Sequence, residues 1–431
     1  MKKKILFVLV AFLPFLIITS CKREMDPIFE ENATHRMNER IDEIYAVLEG
    51  NPNGWLIKYY PHASYTYGGF TLFAKFTGKT TVQLTSDINE DIIISSYKLR
   101  HGAGPVLTFN TYNKVIHFFS EPGADSGVGA GDLGMGGDFE FLVLEYTKDK
   151  VVLKGNKSGN EYEMYPLAAG EFETLSTDYQ EESELFSEFD GFKFQFENTS
   201  GEISDMGSSY RTFQELTEGD NPLMPFRIVP GGLEFFQTYT LDGVSFDNLY
   251  FHAASAEYTY GYYADKDNKI KIYPVIPLSY WFVNNLWSTS YSNLGPPGKA
   301  AWDIVRTGMV SANLTLSNFY IGYWSASIGS GAFFMLNNWA SVGFEEYAIT
   351  PLPGTTDEIS FSYQGTYSLG GFTGAQYGVI QDLTLPIYQR SFKITTEEDT
   401  DKPSSVLLTD KTNASNTIRL VLEDIDDPMN N

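Results

Sequence analysis

The chain has one cysteine in 431 residues, Cys21. A lone cysteine excludes an internal disulfide framework, so stability must rest on buried apolar surface. Histidine is almost as scarce. His35, His62, His101, His117 and His252 are scattered, with neither H-x-x-x-H nor H-E-x-x-H spacing, so the converging imidazoles of a zinc hydrolase have no local signature. There is no G-x-S-x-G elbow and no P-loop, which removes the usual marks of serine hydrolases and phosphate-cradling folds. Basic residues are few, 30 Lys and Arg against 55 Asp and Glu, for a net charge of −25. Such a surface repels nucleic acid and anionic lipid. Beyond the N-terminus no apolar run approaches the roughly 20 residues needed to cross a bilayer.

The N-terminus itself is distinctive. Lys2, Lys3 and Lys4 precede an unbroken apolar run from Ile5 to Ile18, followed by Thr19-Ser20-Cys21. A basic start, a short apolar core and small residues describe a secretory signal over 1–20 rather than a spanning helix. Small residues followed by cysteine resemble a bacterial lipobox, in which Cys21 is acylated and becomes the first mature residue. Removing 1–20 takes away three lysines and no acids, leaving 27 basic against 55 acidic residues, or −28. The run Lys22-Arg23-Glu24-Met25-Asp26 resembles the surface-export signal of Bacteroidota lipoproteins, with its acidic pair split by Met25. A lipid-anchored protein of the outer membrane, facing the cell surface, is the expected address.

With 42% hydrophobic residues the chain is not disordered, and with 15% aromatic residues it leans towards β structure. The clearest helix is 33–49, where Met37, Ile41, Ile44, Tyr45 and Leu48 recur at three- and four-residue steps, and Gly50-Asn51-Pro52 ends it with Gly50 as the left-handed cap. From Trp55 the period changes to two. Short strands are expected at 55–60, 69–76, 80–85, 92–98, 105–111, 115–119, 139–145, 150–154 and 161–165, separated by Gly, Asn and Asp. The fold class is therefore all-β, with two antiparallel β domains, the first a lipocalin-like meander or barrel, and a short N-terminal helix. The expected layout places tether and helix at 21–52, the first β domain at 53–168, an acidic linker or helix at 169–190, and a larger β domain at 191–431. Residues 274–303, with Pro274, Pro277, Pro296 and Pro297, read as a long irregular loop.

Several features compete for function. Gly129, Gly131 and Gly134 make a G-x-G-x-x-G match, but the next element, 139–145, alternates like a strand, and a dinucleotide site needs a helix there. A glycine-rich flap is the better reading, and Asp125, Asp132 and Asp138 fit no calcium loop. Glu234, Glu345 and Glu346 lie on or beside strands, and the plainer reading of each is solvent-facing. Five of the six tryptophans, Trp281, Trp287, Trp302, Trp324 and Trp339, fall in one short span with Tyr280, Tyr291, Tyr320 and Tyr323. Sugars stack apolar C–H faces on such rings, while the same rings also fill β cores. Trp281, Trp287, Tyr291, Trp302 and Trp324 are the ligand-binding candidates. No catalytic residue, metal or cofactor is expected.

Gly54-Trp55-Leu56-Ile57-Lys58-Tyr59-Tyr60-Pro61, Tyr67-Gly68-Gly69-Phe70, Gly104 to Asn113 with His117, Gly137-Asp138-Phe139-Glu140-Phe141, Leu153-Lys154-Gly155 and Gly231 to Phe236 resemble an uncharacterised lipoprotein family of the Bacteroidota, a domain of unknown function. The resemblance spans most of the mature chain. It implies a genetic setting beside SusC-like TonB-dependent transporters and SusD-like binding proteins, and supplies no catalytic residues. Trp55 is expected as a core plug, Gly68 and Gly69 as a tight strand entry, and Tyr112-Asn113 as a hairpin turn with Asn left-handed. The expected role is a non-catalytic accessory that binds glycan or peptide for uptake. The alternatives are a hydrolase whose carboxylates meet only in the fold, and a structural subunit docking on the transporter. If Cys21 is the anchor, Cys21→Ala moves the protein from the membrane pellet to the soluble fraction on ultracentrifugation.

Overall fold

The computed structural model describes residues 33–123, 127–216, 219–353, 355–398, 400–422 and 428–429. Cys21, the signal segment, Asp125 and the acidic stretch 423–427 lie outside the described residues. The fold is mostly β, in three sheets. It divides into two compact units. Of the described residues, the first comprises those up to Lys58 with Leu72–Thr85 and those within Asp91–Phe172, and the second Tyr59–Thr71, Ser86–Glu90 and those from Glu173 onward. Among the described residues no helix is long and apolar enough to cross a membrane.

Helix α1 (Ala33–Gly50) buries Ile44, Tyr45 and Leu48, the stripe its periodicity predicts. Gly50 is its last residue. The left-handed residue is instead Gly54, at φ +94, where a Cβ would meet the Phe172 ring at 2.9 Å. Trp55 is fully buried, and its indole N–H donates to the Leu48 carbonyl at 3.0 Å, closing the helix end.

The first sheet contains β1 (Trp55–Tyr59), β2 (Phe70–Phe76), β3 (Thr81–Ser86), β4 (Asn89–Ser96) and β5 (Lys98–His101). It continues through β6 (Pro105–Thr108), β7 (Glu140–Tyr146), β8 (Val151–Gly155) and β9 (Glu161–Pro166). Their order is β4-β3-β2-β1-β9-β8-β7-β6-β5, so two meanders meet where β1 pairs antiparallel with β9. The end strand β4 is shielded by side chains. Asn113 donates to Ile93 O at 3.2 Å, and Thr111 Oγ1 accepts from Ser96 N at 2.9 Å. Side-chain cover of this kind blunts a sheet edge against foreign strands. The strand expected at 115–119 is a helix, α2 (Lys114–His117), continued by a 3-10 turn at Phe118–Ser120. Asn113 is not left-handed but extended, at φ −140, and caps α2 by accepting from Val115 N at 2.9 Å. A local cap outweighs the β propensity of Val115 and Ile116.

In the second unit α3 (Glu171–Ser187) leads into a closed barrel. Its strands are β10 (Lys193–Glu197), β11 (Ile203–Ser209), β12 (Thr212–Glu215), β13 (Met224–Val229), β14 (Gly232–Leu241), β15 (Val244–His252), β16 (Tyr262–Ala264) and β17 (Lys271–Val275). Its interior is packed with rings. Phe186 and Phe189, at the end of α3, reach Phe194 at 6.0 and 6.2 Å, and Phe226 packs on Phe186 and Phe213. Strands β11 and β12 escape the sequence pattern because Ile203–Ser209 alternates too weakly to show a buried face.

A second closed barrel follows, so the C-terminal half holds two barrels. Its strands are β18 (Leu286–Ser288), β19 (Leu316–Ser325), β20 (Gly329–Leu336), β21 (Ser341–Pro351), β22 (Glu358–Gly370), β23 (Ser391–Thr395), β24 (Ser405–Asp410) and β25 (Thr417–Val421). The expected loop at 274–303 is structured. It holds α4 (Leu278–Val283), strand β18 and the first turns of α5 (Pro296–Ala312). Proline at the first helical position starts a helix rather than breaking it, and Pro296 sits there. A further helix, α6 (Gly374–Ile380), opens on a capping box between Thr373 and Gln376.

Asp410 closes the β24 turn. It accepts from Thr412 N and Oγ1 at 2.8 Å, Asn416 Nδ2 at 3.0 Å and Arg390 Nη1 at 2.8 Å. Burial raises its pKa, but these donors outweigh burial and bring it to about 2. A carboxylate depressed on folding stabilises the native state above its unfolded value, and that contribution fades as pH falls from about 4 to about 2. Asp410→Asn should therefore cost about 2 kcal/mol at pH 7 and almost nothing at pH 2, as read from urea unfolding at both pH values.

Candidate functional site

Strand β13 alternates Phe226 and Ile228 into the first barrel, so Arg227 between them faces outward. Its cross-strand partner on β14 is Glu234, and Arg227 Nη2 donates to Glu234 Oε2 at 2.6 Å. Arg227 Nη1 also donates to Thr71 Oγ1. A second arginine, Arg211, donates to Gly69 O at 3.0 Å, to Ser183 Oγ at 3.1 Å and to Asp87. Its guanidinium lies 4.3 Å from the centre of the Phe70 ring. Backbone bonds complete the join: Gly69 N donates to Phe226 O at 2.9 Å, and Asp87 N to Thr71 O at 3.0 Å. From α3, Gln180 reaches Ser86 O and Asn89 O at 2.9 Å each.

The network is neutral overall, two guanidiniums against two carboxylates, and almost dry. Asp87, Arg211 and Arg227 are buried. Burial pushes the Asp87 carboxyl above its usual range against the pull of Arg211. Burial likewise raises the Tyr60 hydroxyl, with Arg227 opposing. Gly68 and Gly69 are required by closeness. A Cβ on Gly68 would lie 2.1 Å from Arg211 O, and one on Gly69 2.5 Å from both the Arg227 stem and the Tyr60 ring.

On this base sits a group of rings. The turn from His62 to Gly68 is closed by Tyr65 N to His62 O and Gly68 N to Tyr65 O, both 2.9 Å. Tyr65 lies 4.2 Å from Phe236, ring centre to ring centre, with the planes 33° apart. Tyr67 meets Tyr210 at 4.9 Å and His62 at 5.5 Å. Tyr60 is buried beneath and meets Phe236 edge-on at 5.0 Å. Tyr210 is 51% exposed and Phe236 39%. Two backbone devices hold them up. Tyr65 and Tyr210 are left-handed at φ +58 and +51, which costs a side-chain-bearing residue on the order of 1–2 kcal/mol each. Phe236 stands in a bulge, where 235–238 of β14 face only Asp247 of β15. Phe236 faces outward by alternation after the inward Phe235, and the bulge extends that outward run to 238. Tyr239, whose hydroxyl burial raises and which bonds the side chain of Gln237, adds a polar edge.

The residues singled out from sequence fare differently. Trp287 and Trp302 are fully buried, and their indole N–H groups donate to Phe282 O at 2.9 Å and Leu383 O at 3.1 Å. They are core, since the proline-bounded segment that carries them folds into β18 and α5. Trp281, Tyr291 and Trp324 are half-buried in three different settings. Trp281 donates to Pro403 O at 3.1 Å, Tyr291 lies under Arg306 at 4.1 Å, and Trp324 packs on Phe333 at 4.8 Å. Glu345, expected to face solvent, is buried in the second barrel. It accepts from the Tyr347 and Tyr377 hydroxyls at 3.0 Å each, and burial raises its pKa. Its neighbour Glu346 points to the opposite face of β21, so the two do not form a catalytic pair. Glu234 is bound to Arg227. The glycine-rich segment folds back on itself through an Ala130–Gly134 bridge and leads into β7, as a flap rather than a nucleotide loop. Among the described residues no three His, Cys, Asp or Glu side chains gather as metal ligands would.

The platform residues Tyr65, Tyr210 and Phe236 were missed. The one signal was the tyrosine- and glycine-rich run His62–Phe70 between two expected strands. Fold and site together define an all-β protein with an exposed aromatic platform over a closed ion-pair base. The chain matches the family described as Domain of unknown function (DUF4302) over residues 25–253, and it belongs to that family. The match covers just over half of the chain, includes the whole platform and leaves out the second barrel. None of the curated proteins and none of the solved structures matches the chain.

Removing one partner of a buried pair strands the other, at about 3–5 kcal/mol. Arg211→Ala should lose that much in denaturant unfolding. The double variant Arg211→Ala/Asp87→Ala should lose less than the sum of the two single losses.

Proposed function

We propose that this protein is a non-catalytic, saccharide-binding surface lipoprotein, an accessory component of a SusC/SusD-like nutrient-uptake system in a bacterium of the Bacteroidota. The observation that carries the reading is the platform. Rings are held out to solvent at a backbone cost, while every charge beneath them is spent on an internal partner. Such a surface offers flat apolar faces and hydroxyl edges, which suit the C–H faces and rim hydroxyls of a pyranose. Among the described residues it presents no poised pair of carboxylates, and Ser64 Oγ is hydrogen-bonded to His62 Nδ1 at 2.8 Å within the turn. The lipobox at Cys21 and the resemblance of the 54–113 blocks to Bacteroidota lipoproteins support the address and the uptake setting.

The test is calorimetric titration of the full-length chain in detergent with neutral oligosaccharides, and with peptides in parallel. Saccharide binding that weakens about tenfold or more in Tyr65→Ala and in Phe236→Ala, with unchanged melting temperature, is the expected result. Peptide binding with the same dependence would change the ligand class. Silence from both panels would move the role to docking on the transporter. A hydrolase would instead release reducing ends and lose that activity in Glu345→Gln.

A further inference from the structure

The first unit carries another exposed ring group, built from different segments. Tyr112 is 66% exposed and Phe139 36%. Between them lies the half-buried His117, 4.7 Å from Phe139 with planes 26° apart, and 5.4 Å from Tyr112 at 37°. Single exposed rings are common on any protein surface. A continuous stack of three, each locked by its own anchor, is a different matter.

The anchors are independent. Tyr112 donates its hydroxyl to Glu121. His117 ends α2, whose cap Asn113 is held by Ile93 O at 3.2 Å and Ser95 Oγ at 2.9 Å. His117 Nδ1 lies 3.1 Å from both the N–H and the carbonyl oxygen of Asn113, which fixes the ring against its own helix start. Burial lowers the pKa of His117, which favours the neutral imidazole. Phe139 follows Asp138, a buried carboxylate that accepts from Lys157 N at 2.6 Å and the Tyr162 hydroxyl at 2.8 Å. The Phe139 carbonyl in turn accepts from Phe109 N at 3.1 Å. Rings fixed in advance lose little freedom on binding, and this pre-organisation favours a ligand.

We infer that Tyr112, His117 and Phe139 form a second saccharide site on the first unit, and that the ligand is a neutral polysaccharide presenting the same sugar face repeatedly. The inference rests on the saccharide reading of the first platform. Its own content is the second site and the polymer. Both platforms present rings with polar edges and no free cation, and the mature charge of −28 disfavours acidic polymers. Two modest sites on one chain gain affinity only for a ligand that repeats.

The experiment uses full-length protein in detergent, with neutral β-glucan, xyloglucan and galactomannan, their hexasaccharides, and polygalacturonate as the acidic polymer. With the hexasaccharide of the polymer that binds, calorimetry should give two sites per chain. Phe139→Ala/Tyr112→Ala should leave one, as should Tyr65→Ala/Phe236→Ala. Each double variant should bind the parent polymer at least tenfold more weakly, while Phe139→Tyr keeps both sites. Circular dichroism confirms that the variants are folded. One site in the wild type, untouched by Phe139→Ala/Tyr112→Ala, overturns the second site and leaves the first platform standing. One site lost only in that variant removes the first platform and keeps the second. Tighter binding of polygalacturonate overturns the neutral-polymer assignment.

Discussion

Two guanidiniums buried against the outer wall of the first barrel organise the second unit. Arg211 and Arg227 gather a strand-connecting segment, a turn and a helix through Gly69, Thr71, Asp87 and Ser183. Ion pairs of this kind add little net stability over a well-packed apolar alternative, because desolvation offsets most of the attraction. They do add direction. A guanidinium donates along fixed vectors in one plane, so each partner has one place to sit. Residues Tyr59–Thr71 and Ser86–Glu90 consequently belong to the second unit although the strands on either side of them belong to the first. The turn His62–Gly68 is held at both of its ends by this network, and the rings it carries inherit that rigidity.

The protein uses aromatic residues for two opposed purposes. Inside the first barrel, Phe186, Phe194, Phe213, Phe226 and Phe235 fill the space that smaller apolar residues fill elsewhere. On the surface, Tyr210, Phe236, Tyr112 and Phe139 leave apolar faces in water. The backbone decides which purpose applies. Alternation along β14 sends Phe235 inward and Phe236 outward, and the bulge over 235–238 keeps the next two residues outward as well. Tyr65 and Tyr210 both have left-handed backbone, which leaves Tyr65 half-buried against Phe236 and Tyr210 exposed, at a cost that their fixed neighbours sustain.

Buried carboxylates show the same division between position and chemistry. Asp138 and Asp410 are each enclosed by donors that fix a turn or a segment, and Asp87 is held through one oxygen by Arg211. Glu345 is enclosed by tyrosine hydroxyls within the second barrel. An acid engaged by such donors holds its segment in place. Burial raises the pKa of Asp87 and of Glu345, whereas around Asp410 burial is outweighed by the donors, which lower its own. The chain's excess of acids thus separates into a few that build the fold and many that charge its surface.

Local pattern made much of the chain readable. Residue order alone carried the helix at 33–49 and the β class, because each depends on neighbours within one or two turns or a few strand positions, and at 169–190 it left a helix and a linker both open. It also carried the rejection of a nucleotide loop at Gly129–Gly134, since a strand follows. The asparagine cap at Asn113 and the proline start at Pro296 were local too, but strand propensity and proline content hid them. Tertiary structure alone decided which rings face water. Trp302 and Tyr210 are equally aromatic in sequence, yet one is sealed by the helix it rides on and the other is lifted by a left-handed turn. It also decided the ion-pair base, where Gly69 and Arg211 meet across 142 positions. Exposure and long-range pairing are properties of surfaces brought together by folding, and no local window contains both surfaces.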